Sequence, residues 1–258
     1  MDTDTFSKLN INVYPTKELV GKAAGKAIED EINRIQKEKK FIRIVFAAAP
    51  SQDETLKYLV NSNKIDWQRV IAFNMDEYLG LPSEAPQHFS EYLKVHLFSK
   101  INVGEVHLID SQSNAKELSK FEEKITEEPI DVVCLGIGEN GHIAFNDPPV
   151  ADFNDSKIIK IVELDEVCRQ QQVNDECFDE LEDVPKNAIT LTIPFLMKGK
   201  KLFCIVTGEN KADAVYHTLT GEIDESCPAS ILRLHHGCSF YFDSSAIEKI
   251  ENKLNYEN

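Results

Sequence analysis

The run Ile130-Asp-Val-Val-Cys-Leu-Gly-Ile-Gly-Glu-Asn-Gly-His142 divides into two halves of opposite character. Its first six residues, Ile130 to Leu135, are apolar except for Asp131, and so short an apolar run reads as a strand covered on both faces, the habit of a parallel sheet. The second half is glycine-rich and polar, the composition of a loop leaving that strand at its carboxyl end. Outward from it, apolar strand-type runs alternate with segments of helical period, the pattern of βαβ units. Strands are expected at Phe41 to Ala47, Arg69 to Met75, Val106 to Ile109, Lys157 to Val162, Lys201 to Val206 and Ser239 to Phe242. Helices are expected at Thr16 to Lys37, Asp53 to Val60, Glu91 to Ile101, Ala115 to Ile125, Lys211 to Thr218 and Ala246 to Leu254. The fold class is therefore α/β: a three-layer, Rossmann-like, doubly wound and mostly parallel sheet with helices on both faces.

With 42% of its 258 residues hydrophobic, the chain has apolar material for a single large domain, and no linker or repeat divides residues 1–258. Prolines and an acidic stretch from Asp175 to Asp183 break the pattern between Pro148 and Asn187, so that residues 150–187 are a solvated surface or a candidate lid. The formal net charge of −16 argues against a nucleic-acid partner and obliges any anionic ligand to find a local cationic or amide-rich pocket. No apolar run is long enough to span a membrane, and the first residues lack a secretion signal, so a cytoplasmic location is expected. Six cysteines without a CxxC pair read as free thiols and give no metal motif.

Ligands of doubly wound sheets bind beyond the carboxyl ends of the strands, and two segments there hold chemically able residues. In Phe73-Asn-Met-Asp-Glu-Tyr-Leu-Gly-Leu-Pro82, extended geometry turns Asp76 and Glu77 to different sides, so one can face a site while the other anchors the loop. An acidic pair also serves as a helix or turn cap. In the second segment Gly136, Gly138 and Gly141 spell GxGxxG, and Glu163 falls near the place of a ribose-binding acid. A dinucleotide fingerprint has to open a helix, whereas Asn146, Asp147, Pro148 and Pro149 stop one within two turns. The competing reading is a close-approach loop: Gly138 and Gly141 admit a small ligand, His142 takes and gives a proton, and Asp147 orients it. A histidine here can equally be a satisfied structural contact.

FNMDEYLGLP (73–82) and GIGENGHIAFNDP (136–148) resemble the glucosamine-6-phosphate deaminase family, within the wider group that holds the 6-phosphogluconolactonases. Weaker similarity comes from VPKNAITLTI (184–193), TGENKADAV (207–215) and CPASILRLH (227–235), and the GHIAFN form favours the deaminase branch. The resemblance implies an enzyme that opens an amino-sugar phosphate and deaminates it by acid/base chemistry, with neither redox cofactor nor metal. Asp76 matches the general base, His142 the ring-opening histidine, Asp147 and Asn140 the residues that support it, and Lys211 a phosphate contact. The partner implied is a small sugar phosphate, glucosamine 6-phosphate or its galactosamine epimer, and the resemblance leaves room for a homo-oligomer.

Three departures bear on the phosphate and on the histidine. The family's Gly-Gly-Thr-Pro type loop is replaced by Ala47-Ala-Ala-Pro-Ser-Gln-Asp-Glu54, in which Ser51 and Gln52 offer polar groups at a helix N-terminus while Asp53 and Glu54 add negative charge. Gln172 stands where the family has a phosphate-gripping arginine, and Arg169, one helical turn away, is the candidate substitute. Asp147 stands in place of a glutamate. The competing functions are a lactone hydrolase using His142 as base and a sugar-phosphate binding protein without catalysis, with a nicotinamide-dependent oxidoreductase more distant.

Overall fold

A computed structural model describes residues 8–174 and 176–250. In chain order these form β1 (Asn10–Tyr14), α1 (Lys17–Gln36), β2 (Ile42–Phe46), α2 (Asp53–Val60), β3 (Val70–Asn74), β4 (Asp76–Tyr78), α3 (Phe89–His96), β5 (Glu105–His107), α4 (Ala115–Thr126) and β6 (Val132–Leu135). There follow β7 (Ile159–Glu163), α5 (Glu166–Asn174), β8 (Asn187–Leu191), α6 (Ile193–Leu196), β9 (Lys201–Val206), α7 (Ala212–Thr220) and β10 (Cys238–Asp243). Seven strands make one sheet in the order β1-β10-β9-β6-β2-β3-β5, with every pairing parallel.

Strand pleating divides the apolar side chains between two layers. Ile42, Ile44, Phe46, Val132 and Cys134 pack under α1, α2 and α3, while Val45, Val133 and Leu135 pack under α4, α6 and α7. Burying side chains of this size stabilises the fold by roughly 1.5–3 kcal/mol each. The expected helices on both faces are thus present. The longest, α1, is capped by the Thr16 hydroxyl, which accepts from the Leu19 N–H, and its apolar stripe includes Val20, Ala24, Ile28 and Ile32. No helix among the described residues is long and apolar enough to cross a membrane.

Two expectations are corrected. The segment expected as a further βαβ strand, Lys157 to Val162, becomes β7 of a separate three-stranded antiparallel sheet ordered β4-β8-β7. Its exposure keeps no two-residue alternation, Ile159 and Val162 being buried and Ile161 exposed, so its local pattern does not choose a sheet, and only its pairing with β8 decides. Residues 246–250, expected to begin a last helix, form turns, and the remainder of that expected helix lies outside the described residues. The 150–187 stretch contains β7 and α5, and its apolar residues share a third core, in which Val162, Leu164, Cys168 and Phe178 meet Tyr78 and Phe145. Asp175, which opens the acidic stretch, lies outside the described residues.

Helices α1 and α2 touch through a glycine. A methyl group on Gly21 would stand 2.3 Å from Glu54 Cβ and 2.6 Å from the Glu54 carbonyl carbon. Helix propensity alone makes Gly→Ala favourable by up to about 1 kcal/mol, while overpacking costs about 1–3 kcal/mol. Because the opposing atoms include backbone, Gly21→Ala is expected to destabilise the protein by about 1–2 kcal/mol in urea unfolding; a stabilised variant would refute the close approach.

Candidate active site

The chain adds β3 and β5 on one side of β2, then returns to place β6, β9 and β10 on the other, so the direction of winding reverses between β2 and β6. Loops that leave two strands at such a reversal diverge and open a crevice at their carboxyl ends. Here that crevice is a cavity of about 280 Å³. The loop after β2 lines it with Ala47 to Ser51, the loop after β6 with Gly136 to Gly138 and His142, and the β3–β4 junction with Met75 and Asp76. From α5 come Gln171 and Gln172; from beyond β9 come Thr207, Gly208, Asn210 and Lys211.

Asp76 and Glu77 are both buried, and their neighbours treat them differently. Glu77 accepts hydrogen bonds from the N–H groups of Tyr78, Phe89 and Ser90, two of them orphan donors at the start of α3, so it anchors the loop. Burial raises its carboxyl, and those same hydrogen bonds offset part of the rise. The Asp76 carboxylate has no hydrogen-bond partner among the described residues. Burial pushes it well above the ordinary carboxylate range, and the charges of Glu77 and Asp147 add to the shift. The strand itself is held by Asn74, whose amide donates to the Asp76 carbonyl while its oxygen accepts the Ile109 N–H.

The glycine loop is a tight turn and opens no helix; the next helix is α5. Gly138 donates its N–H to the His142 carbonyl at 3.0 Å, and Gly141 adopts φ 84°, a left-handed conformation that suits glycine. A Cβ on Gly138 would fall within 2.3 Å of the imidazole, so absence of a side chain there makes room for the His142 ring. Asn146 fixes the end of the turn by donating to the carbonyls of Ile143 and Leu191.

His142 Nδ1 stands 2.8 Å from Asn140 Oδ1 and 2.9 Å from Asp147 Oδ1. Asn140 also donates to Asp147 at 2.9 Å and accepts the His142 N–H. A carboxylate can only accept here, so the Nδ1 proton is shared toward Asp147 and Nε2 is left to exchange protons with a ligand. Burial pushes the Asp147 carboxyl up, but the His142 charge and hydrogen bond, with help from Asn140 and Cys168, outweigh this and hold it below its ordinary value. The shorter aspartate thus reaches the imidazole without a missing methylene being felt.

The expected phosphate ligands fare unequally. Ser51, Gly138, Gln172 and Lys211 line the cavity. Gln52 and Gly141 do not: the Gln52 amide ties the ends of β6 and β9 together through the Leu135 and Ile205 carbonyls, and Gly141 packs on Cys227. Arg169 does lie on a helix, the condition for it to stand in for the missing arginine, yet its guanidinium binds the carbonyls of Leu181 and Val184 and takes no part in lining the cavity. Gln172 does, with its oxygen accepting the Tyr78 hydroxyl at 2.5 Å. The negative charges of Asp53 and Glu54 are engaged elsewhere, Asp53 with Tyr92 and His96 and Glu54 with Lys57. Sequence reasoning missed Lys17 and Asp243, both on the cavity wall; Asp243 accepts the Gly208 N–H. A charged residue closing an apolar strand was the available signal for Asp243, and nothing local marked Lys17. His142, Asp147 and Cys168 are near enough together to be considered as metal ligands.

The family described as glucosamine-6-phosphate isomerases/6-phosphogluconolactonase matches residues 15–241. A glucosamine-6-phosphate deaminase of Listeria welshimeri is 36% identical over 201 residues, 77% of this chain and 84% of that protein. One from Bacillus cereus is 33% identical over 241 residues, 93% of this chain and 88% of that protein. Among solved structures, a monomeric glucosamine-6-phosphate deaminase superposes with a TM-score of 0.84 at 28% identity, covering 93% of this chain and 99% of that one. A 6-phosphogluconolactonase of Trypanosoma brucei superposes at 0.76 with 17% identity, covering 94% and 98%, a likeness of fold.

The Asp76 environment has a measurable cost. A carboxyl whose folded-state pKa is raised binds more protons folded than unfolded, so stability falls as pH rises from the unfolded value toward the folded one and stays low above it. Asp76→Asn removes the ionisation. The variant is expected to be more stable than the parent at neutral pH, with the difference vanishing below about pH 4, where both states are protonated. Urea unfolding at several pH values checks the sign.

Proposed function

The chain belongs to the glucosamine-6-phosphate isomerase and 6-phosphogluconolactonase family, and on that premise we propose that it is an amino-sugar-6-phosphate deaminase, acting on glucosamine 6-phosphate or its galactosamine epimer. The observation that carries this reading is that Asp76 and His142 line one sugar-sized cavity. A lactonase needs a base for water but has no use for a second buried carboxylate in the same cavity.

His142 Nε2 takes the proton of the O1 hydroxyl and passes it to the ring oxygen O5, which breaks the C1–O5 bond and leaves an open-chain aldehyde. Asp147 and Asn140 keep the imidazole in the tautomer this requires. Asp76 removes the proton from C2 and returns it to C1, carrying the chain through an enolamine to a ketimine. Water adds at C2, the C–N bond breaks, and ketose 6-phosphate and ammonia leave. Buried, and with the charges of Glu77 and Asp147 acting on it, the Asp76 carboxylate is a stronger base than a solvated one.

The phosphate end is assigned to Ser51, Thr207, Gly208 and Lys211, with the Gln172 amide completing the wall. Lysine offers a point charge and Gln172 a neutral amide, so the grip is weaker than a guanidinium fork.

Ammonia release with both epimers tests the reading. Asp76→Asn is expected to lower kcat by about 10²–10⁴-fold, the usual share of a positioned acid or base; unchanged turnover removes Asp76 from the mechanism. Gln172→Arg is expected to lower KM for the phosphorylated sugar by about tenfold, the worth of a charge-assisted hydrogen bond, with kcat altered less. An unchanged KM would place the phosphate elsewhere.

A further inference from the structure

Behind the imidazole lies a thiol that proton transfer does not use. Cys168, on α5, is 1% exposed, and an Sγ, an imidazole nitrogen and a carboxylate oxygen from Cys168, His142 and Asp147 all lie within 4.8 Å of one another. Metal bonds of about 2.0–2.3 Å in tetrahedral geometry set ligand atoms somewhat under 4 Å apart, so the three donors need to shift by about an ångström or less. Thiolate, imidazole and carboxylate together suit zinc and exclude the hard cations, which take oxygen alone.

A second observation points to a ligand. Asp147 is fully buried, and its Oδ2 makes no well-formed hydrogen bond among the described residues, although the Cys168 thiol is near enough to the carboxylate to help hold it ionised. Buried polar atoms are normally satisfied, so an orphaned oxygen on a carboxylate clustered with a thiol and an imidazole is a lone pair available to a cation. Asn140 Oδ1, already 2.8 Å from Nδ1, offers a further oxygen, and His142 lines the cavity through which an ion arrives.

We propose that His142, Asp147 and Cys168 form a binding site for a thiophilic divalent cation of the zinc class, and that its occupation inhibits the enzyme. Binding releases one proton, from the thiol, and moves the imidazole proton from Nδ1 to Nε2. Thiolate and carboxylate then neutralise the ion, so no net charge is left buried. A protonated Nε2 on a metal-held ring has no lone pair for the reaction, which is why the ion inhibits. The site stands on the geometry of the cluster and does not depend on which sugar the cavity takes.

The experiment is titration of the full-length protein with Co²⁺ and Zn²⁺. Cobalt is expected to bind one equivalent and to show a near-ultraviolet thiolate-to-metal charge-transfer band together with visible bands of tetrahedral intensity. Cys168→Ser is expected to lose the charge-transfer band and to weaken Zn²⁺ binding by calorimetry at least about tenfold, within the range for loss of a metal-site group. Cys177→Ser, which removes the cavity-wall thiol, is expected to leave both unchanged. In turnover assays Zn²⁺ inhibits the parent, and Cys168→Ser needs at least about ten times as much for the same inhibition. The proposal is overturned if the parent shows no sulfur-to-cobalt band, if Cys177→Ser abolishes it, or if zinc binds at Cys168 without loss of turnover. The cobalt spectrum of the parent needs no variant to fold and no substrate to be known, so its outcome is separate from that of the deaminase assay.

Discussion

A parallel sheet with helices on both faces can be reached by solvent only at its edges and strand ends, and that restriction governs the rest of this molecule. Every pairing in the seven-stranded sheet is parallel, so every strand delivers its chain to the same end. The reversal of winding between β2 and β6 then parts two neighbouring loops, one carrying Ser51 and the other His142. β3, beside β2, continues directly into β4 of the small antiparallel sheet and brings Asp76 to the same opening. The small sheet and α5 close the opening from the far side, with a core of their own around Tyr78 and Phe145. Cavity, carboxylate and imidazole are thus consequences of one topological choice, and none needs a loop of unusual length.

Two adjacent carboxylates in this frame show how the fold allocates its costs. Glu77 receives three N–H donors and serves stability; Asp76, its neighbour in the strand, receives none among the described residues. Burial acts on both in the same direction, and the difference in hydrogen bonding separates their roles. An ionised group left without partners is unfavourable, so it is tolerated only where the surrounding sheet holds the backbone in place, as Asn74 does by bridging Asp76 and Ile109. Asp147 is the opposite case, a buried carboxylate whose charge the imidazole supports.

Periodicity carried much of the architecture, because helices and covered strands each imprint their own repeat. α2 and β9 fall within the residues expected, and α1 differs by one residue at each end, where Thr16 and Lys37 cap it. What periodicity cannot carry is partnership between distant segments: β7 reads as an apolar strand run like those of the parallel sheet, yet it pairs with β8 instead of joining that sheet. β4 is three residues long and α6 only four, too short for a repeat to register. Within the site, strand-end logic found Asp76 and His142, since it depends on where a strand stops. Side-chain direction was out of its reach. A helix over 166–174 makes Arg169 and Gln172 near neighbours, but only the packing of α5 through Cys168, Gln171 and Gln172 determines that the amide faces the cavity and the guanidinium faces Leu181 and Val184.

That rotation of α5 has a consequence for how an anion is held in a chain of net charge −16. Outside the cavity the surplus of carboxylates repels phosphate; inside it, Asp53 and Glu54 are drawn away by Tyr92, His96 and Lys57, and Asp243 is occupied by the Gly208 N–H. Under the proposed assignment, what the wall offers a phosphate is backbone, the Ser51 and Thr207 hydroxyls, the Gln172 amide and the lysines Lys17 and Lys211. Amides and hydroxyls satisfy phosphate oxygens from many directions, and an ammonium group is a rotatable point charge, so this wall attracts the anion without fixing its angle as a planar guanidinium would. Under the proposed reaction, the burden of orientation passes to the other end of the substrate. The sugar must then be positioned by the hydrogen-bonded parts of the site, the glycine turn tied down by Asn146 and the imidazole held by Asp147 and Asn140.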